Sequence, residues 1–164
     1  MPFAPVQDAE NFLAQNPDIE LFELFIIDAN GVPRGKLLHR DELLAVYRSG
    51  RPLPSTILGL SINGDDVEDT GLVWEVGDID CRAYPLAGSL ARLPWRLIPT
   101  AAVQVSMHPQ EGLPATVADP RHVLVQVIER LQAEGYHPVM ACELEFYLLD
   151  AKRDSRGNPQ PALD

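Results

Sequence analysis

A chain of 164 residues, 46% hydrophobic and 23% charged, is long enough for one ordinary globular domain with a buried core, or for one domain and part of another. Its net charge of -11 comes with no dense run of Lys or Arg, which excludes the clustered basic face that a nucleic-acid backbone requires. Apolar runs such as residues 24–27 and 123–125 are far shorter than a bilayer span, and the first residues have neither the basic start nor the apolar centre of a secretory leader, so a cytoplasmic protein with no membrane partner is expected.

Ala9, Phe12 and Leu13 stand at helical spacing and predict a short helix over residues 8–16, ended by Pro17. Residues 20–28 and 32–39 read as two extended runs. Asn30-Gly31 between them is a hairpin signal, because both residue types tolerate the positive φ of a tight turn. Leu43, Leu44 and Tyr47 share one side of a second helix over residues 40–49, stopped by Gly50. Prolines, glycines and acidic residues then thicken over residues 51–80, and the aperiodic stretch 61–69 predicts a loop. Residues 72–76, 82–86 and 103–107 are short strand candidates, so the first part of the chain is expected to be a mixed sheet against one or two helices. Asp119 as N-cap, Pro120 at the first helical position, and Val123, Leu124, Val127, Ile128 and Leu131 at helical spacing predict a helix closed by Gly135. Residues 138–149 read as a strand, and the change of style places a domain boundary near residues 111–118.

Along that last strand Glu143 and Glu145 are two apart, which puts both carboxylates on one face, about 7 Å apart at the backbone. Met140, Cys142, Leu144, Phe146 and Leu148 take the other face. Carboxylate oxygens on a rigid strand suit hard divalent cations such as magnesium or manganese, although one strand alone supplies too few ligands. The same spacing also describes the solvated face of an amphipathic strand.

The run Ala141-Cys142-Glu143-Leu144-Glu145-Phe146-Tyr147-Leu148-Leu149-Asp150 resembles the glutamine synthetase segment in which Glu-x-Glu-Phe supplies metal ligands. Asp119-Pro120-Arg121 matches that family's Asp-Pro-Arg, and Asp28-Ala29-Asn30-Gly31-Val32-Pro33-Arg34-Gly35-Lys36 resembles its N-terminal hairpin. The three signatures stand in the family's order and cover most of the chain. Within the family the resemblance is to the branch that joins glutamate to amines such as polyamines, the γ-glutamylpolyamine synthetase-like enzymes.

This resemblance implies an α+β fold: a β-grasp N-terminal domain over residues 1–112, then over residues 113–164 the first helix and strand of a glutamine synthetase catalytic α/β domain. It implies Mg2+ or Mn2+ as cofactor, with Glu145 a ligand of the metal nearer glutamate and Glu143 a ligand of the metal nearer the ATP phosphates. ATP, as substrate, would phosphorylate the side-chain carboxylate of glutamate, and ammonia or an amine would displace phosphate from the acyl phosphate. Active sites would form between subunits of a homo-oligomer, the dodecamer expected of the full-length family. The partner ligands would lie beyond Asp164, so these 164 residues alone are expected to be inactive. The runner-up is a non-catalytic β-grasp binding or assembly module.

Ammonia-using members carry an Asp-Gly-Ser-Ser loop in the first domain, whereas the matching region here reads Leu60-Ser61-Ile62-Asn63-Gly64-Asp65-Asp66. Either Ser61 occupies the place of the ammonia-site Asp or Asp65 does its work, and both suit a larger amine; the alternative is a plain solvated turn. Arg34 and Lys36 are expected on the wet face of an edge strand. His39, His108, His122 and His137 are scattered without ligand spacing, Trp74 and Trp95 read as core residues or as contacts to a neighbouring subunit, and Cys81 and Cys142 read as two buried thiols.

Overall fold

Helix α1 (Val6–Gln15) runs to the residue before Asn16 and Pro17, and its last carbonyls are taken up by a residue far along the chain. The Arg40 guanidinium donates to the carbonyls of Leu13, Asn16 and Ile19, which closes the helix and fixes the entry into the sheet. The computed structural model describes residues 3–73, 77, 79–108 and 118–162.

Strand β1 (Leu21–Ile27) alternates strictly, and Phe22, Leu24 and Ile26 are at most 1% exposed. The turn at Asn30-Gly31, with Gly31 at φ +76°, returns the chain into β2 (Pro33–His39), antiparallel to β1 in the register Phe25↔Gly35. A methyl group at Gly35 would sit 1.8 Å from the Leu24 carbonyl oxygen, so only glycine fits there. A single 3-10 turn (Arg40–Glu42) leads into α2 (Leu43–Ser49), which ends at Gly50 with φ +69°.

The sheet continues through β3 (Arg51–Pro54), β4 (Asp80–Pro85), β5 (Ala91–Leu93) and β6 (Thr100–Met107) in the order β2-β1-β6-β4-β3, with β5 beside β6. The pair β1 and β6 is parallel and all other pairs are antiparallel. Its apolar face packs on α1 and α2, where Phe12 and Leu13 close over a core that includes Phe22, Leu38, Leu43, Leu53, Val103 and Met107. A mixed sheet with helices is thus the observed α+β architecture.

Beyond the sheet, α3 (Pro120–Ala133) forms with Asp119 as its N-cap and Gly135 at φ +83° after its end. None of its residues is fully buried, and Val123, Leu124, Val127 and Leu131 of its apolar stripe are 37 to 48% exposed.

Four expectations change. The strand over residues 138–149 does not form: residues 136–148 are irregular, and Leu149 makes only an isolated bridge to Pro161. Met140, Leu144, Phe146 and Leu148 are 69 to 85% exposed, because no strand among the described residues meets this segment's backbone groups or covers its apolar face. Leu72 and Val73 are buried but lie in bends, while Trp74, Glu75 and Val76 of that strand candidate fall outside the described residues. Cys81 is buried as expected, whereas Cys142 is exposed with the irregular segment that carries it. Trp95 is 72% exposed and does not belong to the core. Of the expected domain boundary near residues 111–118, residues 111–117 fall outside the described residues.

Candidate functional site

The loop of residues 60–66 is closed on itself. Leu60 and Asp66 form a bridge, the Ser61 amide donates to the Asp65 carbonyl at 2.8 Å, and the Gly64 amide donates to the Ser61 carbonyl at 3.0 Å. The Ser61 hydroxyl oxygen accepts from the amides of Asn63 (3.2 Å) and Asp65 (3.1 Å) and donates towards the Asp65 carboxylate at 3.4 Å. Ser61 therefore shapes the loop from within, while Asp65, like Asp66 beside it, is exposed to solvent.

Two side chains of the neighbouring hairpin hold this loop from below. Asn30 donates through Nδ2 to the Leu60 carbonyl at 2.9 Å, and Arg34 donates through Nη2 to the Ser61 carbonyl. Gly64, at φ +94°, lies over the same guanidinium, since a methyl group built on it would come within 3.3 Å of Arg34 Nη1. Arg34 is in turn fixed by Asp28, whose side chain is fully buried and accepts from Arg34 Nε at 2.8 Å. The other carboxylate oxygen accepts from the amides of Asn30 and Val32, both at 2.9 Å. Burial alone would push the Asp28 carboxyl up, but the Val32 amide, the Arg34 guanidinium and the Asn30 amide outweigh it and hold the group below the usual carboxylate range.

Arg34 thus departs from the expected wet face of an edge strand. Strand β2 is indeed an edge, and Lys36 is exposed on it, but Arg34 turns inward to a buried ion pair. The sequence did hold a signal. Asp28 opens the turn, and the hairpin register Ile26↔Arg34 brings Arg34 diagonally opposite it.

A second cluster joins the sheet to α3. Asp119, 1% exposed, accepts from the Ser106 hydroxyl at 2.6 Å, the Met107 amide at 3.1 Å and the Arg121 amide at 3.0 Å. It caps the helix and ties it to the end of β6 in one step. His122 Nε2 lies 2.6 Å from the Met107 carbonyl oxygen, and its ring meets His108 edge-on, where His108 clusters with Phe3 and Tyr84. No ligand-type grouping arises from these histidines.

Glu143 and Glu145 are both exposed on the irregular segment. Their oxygen donors have the right chemistry for a hard cation, but a cage is not assembled: among the described residues no three His, Cys, Asp or Glu side chains come together to hold a metal ion. Among the described residues, no helix is long and apolar enough to cross a membrane.

Comparison with known proteins places these features together. The family profile for the glutamine synthetase catalytic domain matches residues 117–163, the stretch that holds Asp119, Glu143 and Glu145. The chain is 33% identical over 162 residues to gamma-glutamylputrescine synthetase PuuA of Escherichia coli K12, covering 94% of this chain and 32% of that protein. It is 30% identical over 137 residues to glutamate–isopropylamine ligase of a Pseudomonas species, covering 81% of this chain and 29% of that protein. In the solved GmaS/ADP complex, 75% of this chain superposes on 25% of the other with a TM-score of 0.55 and 25% identity. The chain spans about a third of the length of the curated relatives it matches. Profile, relatives and fold agree, and the chain belongs to the glutamine synthetase family.

Proposed function

We propose that this chain is the N-terminal part of an ATP-dependent ligase that joins the γ-carboxylate of glutamate to an amine through γ-glutamyl phosphate. The observation that carries the reading is the 33% identity to gamma-glutamylputrescine synthetase along 94% of the chain. In the proposed reaction a side-chain oxygen of glutamate attacks the γ-phosphorus of ATP, ADP leaves, and the amine nitrogen then displaces phosphate from the acyl carbon. Alkylamines are protonated near neutral pH, so the acceptor must lose a proton before it attacks. A solvent-facing carboxylate beside the acceptor attracts the ammonium form and takes that proton, which is the role we assign to Asp65, with Ser61 holding its loop. The departure of residues 60–66 from Asp-Gly-Ser-Ser supports an amine larger than ammonia.

Residues 1–112 are read as the β-grasp domain, supported by the hairpin, helix and central parallel pair of the sheet, and residues 113–164 as the start of the catalytic domain. Glu143 and Glu145 are assigned as ligands of Mg2+ or Mn2+, Glu145 on the glutamate side and Glu143 on the phosphate side. A cation held there would offset the charge on the transferring phosphoryl group. Two carboxylates on one segment are too few for such a site, so these 164 residues alone should make no γ-glutamyl amide. The reading also implies a cytoplasmic homo-oligomer.

The test uses the whole natural protein with ATP, magnesium, glutamate and, in parallel, ammonium, isopropylamine and putrescine. Release of ADP that depends on both glutamate and amine, with a γ-glutamyl amide identified by mass, is the expected result. ATP turnover without amide for every acceptor would overturn the reading.

A further inference from the structure

We propose that Arg34, anchored by buried Asp28 and assisted by Asn30, is a positioning residue for the loop of residues 60–66, setting where Asp65 stands and thereby how the acceptor amine is bound. This rests on the ligase reading above for the amine, but the latch itself stands on geometry. Position is passed along four residues, Asp28, Arg34, Ser61 and Asp65, through side-chain and backbone contacts. Asp28, fully buried, fixes Nε of Arg34; Nη2 of Arg34 binds the Ser61 carbonyl; the Ser61 hydroxyl gathers the amides of Asn63 and Asp65 and reaches the Asp65 carboxylate. Asn30 adds a second grip one residue earlier, at the Leu60 carbonyl.

The chemistry of the residue types matters at each step. Arginine bridges two acceptors because its donors lie in one rigid plane, so Nε and Nη2 address Asp28 and Ser61 together; a lysine ammonium is a single point and cannot hold both in that geometry. The carboxylate of Asp28 has both oxygens occupied, which leaves the guanidinium one orientation. Glycine at position 64 lets the loop close onto the guanidinium, with a methyl group there only 3.3 Å from Nη1 and the backbone at φ +94°. The Leu60 and Ser61 carbonyls lie 30 and 27 residues from Asn30 and Arg34, so the hairpin fixes a loop that its own sequence leaves aperiodic.

The experiment compares Arg34→Lys, Asn30→Ala and, as a control on the same strand, Lys36→Ala in the whole enzyme. Two quantities are read: amide hydrogen exchange of Asn63, Gly64 and Asp65, and the Michaelis constants for amine, glutamate and ATP. Because a hydrogen bond from a charged donor contributes more than a neutral one, Arg34→Lys should speed exchange and raise the amine KM by about tenfold or more, and Asn30→Ala each by about threefold. The KM values for glutamate and ATP should stay near those of the parent, and Lys36→Ala should change nothing. Asn30→Ala removes one grip from an exposed side chain and leaves no buried charge unpaired, so it reports even if an Arg34 variant folds poorly. An active parent whose variants keep parental exchange and amine KM overturns the latch, as does an equal rise in all three KM values. A parent that makes no amide overturns the ligase reading and the amine role with it, and the two failures are told apart by the parent's activity.

Discussion

The strand β1 and the segment of residues 139–148 carry the same kind of pattern and reach opposite ends of the burial scale. In β1, Phe22, Leu24 and Ile26 are at most 1% exposed; in the later segment Met140, Leu144, Phe146 and Leu148 are 69 to 85% exposed. Both place an apolar residue at every second position. What differs is the neighbourhood: β1 has β2 on one edge, β6 on the other and two helices on its face, whereas residues 136–148 meet no strand among the described residues. A period of two encodes the capacity to be a strand, and partners convert it into one.

The sharpest way to break the first region is at Gly35. A methyl group there would come within 1.8 Å of a backbone oxygen of the paired strand, and neither strand can give way without separating. Gly35→Ala should remove more than about 4 kcal/mol, enough to abolish a cooperative urea transition. An ordinary transition with a midpoint near that of the parent would contradict the close approach.

Equivalent substitutions in the two regions make the comparison quantitative. Phe22→Ala should cost about 3–5 kcal/mol by loss of transfer energy and creation of a cavity. Leu144→Ser, in the same 164 residues, should stay within about 0.5 kcal/mol, as expected of an exposed site. Denaturant unfolding of both variants is the check, and a large cost at Leu144 would mean that the segment is packed after all.

How much of this was legible follows the same division between local and non-local causes. The first helix, the hairpin, the second helix and the capped helix α3 were readable because spacing, Asn30-Gly31, Gly50 and Asp119-Pro120 are local signals. Strand β3 was missed because Pro52 and Pro54 argue against a strand, and they are tolerated only because β3 lies at the sheet's edge. Strand β5, Ala91-Arg92-Leu93, is too short to show a period. In the candidate site, Ser61 and Asp65 were visible as loop residues, but the Arg34 beneath them acts across 27 positions of sequence, and spacing says nothing about that. Glu143 and Glu145 were singled out by their spacing and the family resemblance, while the strand they were expected to share depends on partners that no local pattern supplies.

Between the two regions stands Asp119, whose replacement should uncouple one from the other. Asp119→Ala removes the cap of α3 and leaves the Ser106 hydroxyl and Met107 amide without their buried acceptor. A loss of about 2 kcal/mol is expected, concentrated in the helix. Hydrogen exchange should quicken over Pro120–Ala133 while the amides of β1 keep their protection. Uniform loss of protection would show that helix and sheet unfold as one unit.

The smallest effect belongs to acidification of the same seam. His108 follows β6 and lies against Phe3 and Tyr84, with the His122 ring 6.3 Å away. Burial, and then the neighbouring His122, hold the His108 imidazole below its ordinary value of 6.5, while Asp119 pulls weakly the other way. On acidification the unfolded chain therefore takes up this proton before the folded one does. Stability from this group is complete above about pH 6.5 and is lost as pH falls from there through the lower folded-state value. Because the ring cluster joins Phe3 and Tyr84 of the sheet region to His122 of α3, the loss should appear first as weaker docking of the helix. His108→Phe keeps an aromatic ring in the stack and removes the titration, so its melting temperature should vary less between pH 7 and pH 5 than that of the parent. A variant that follows the parent's pH dependence throughout that window would assign the acid sensitivity to other groups.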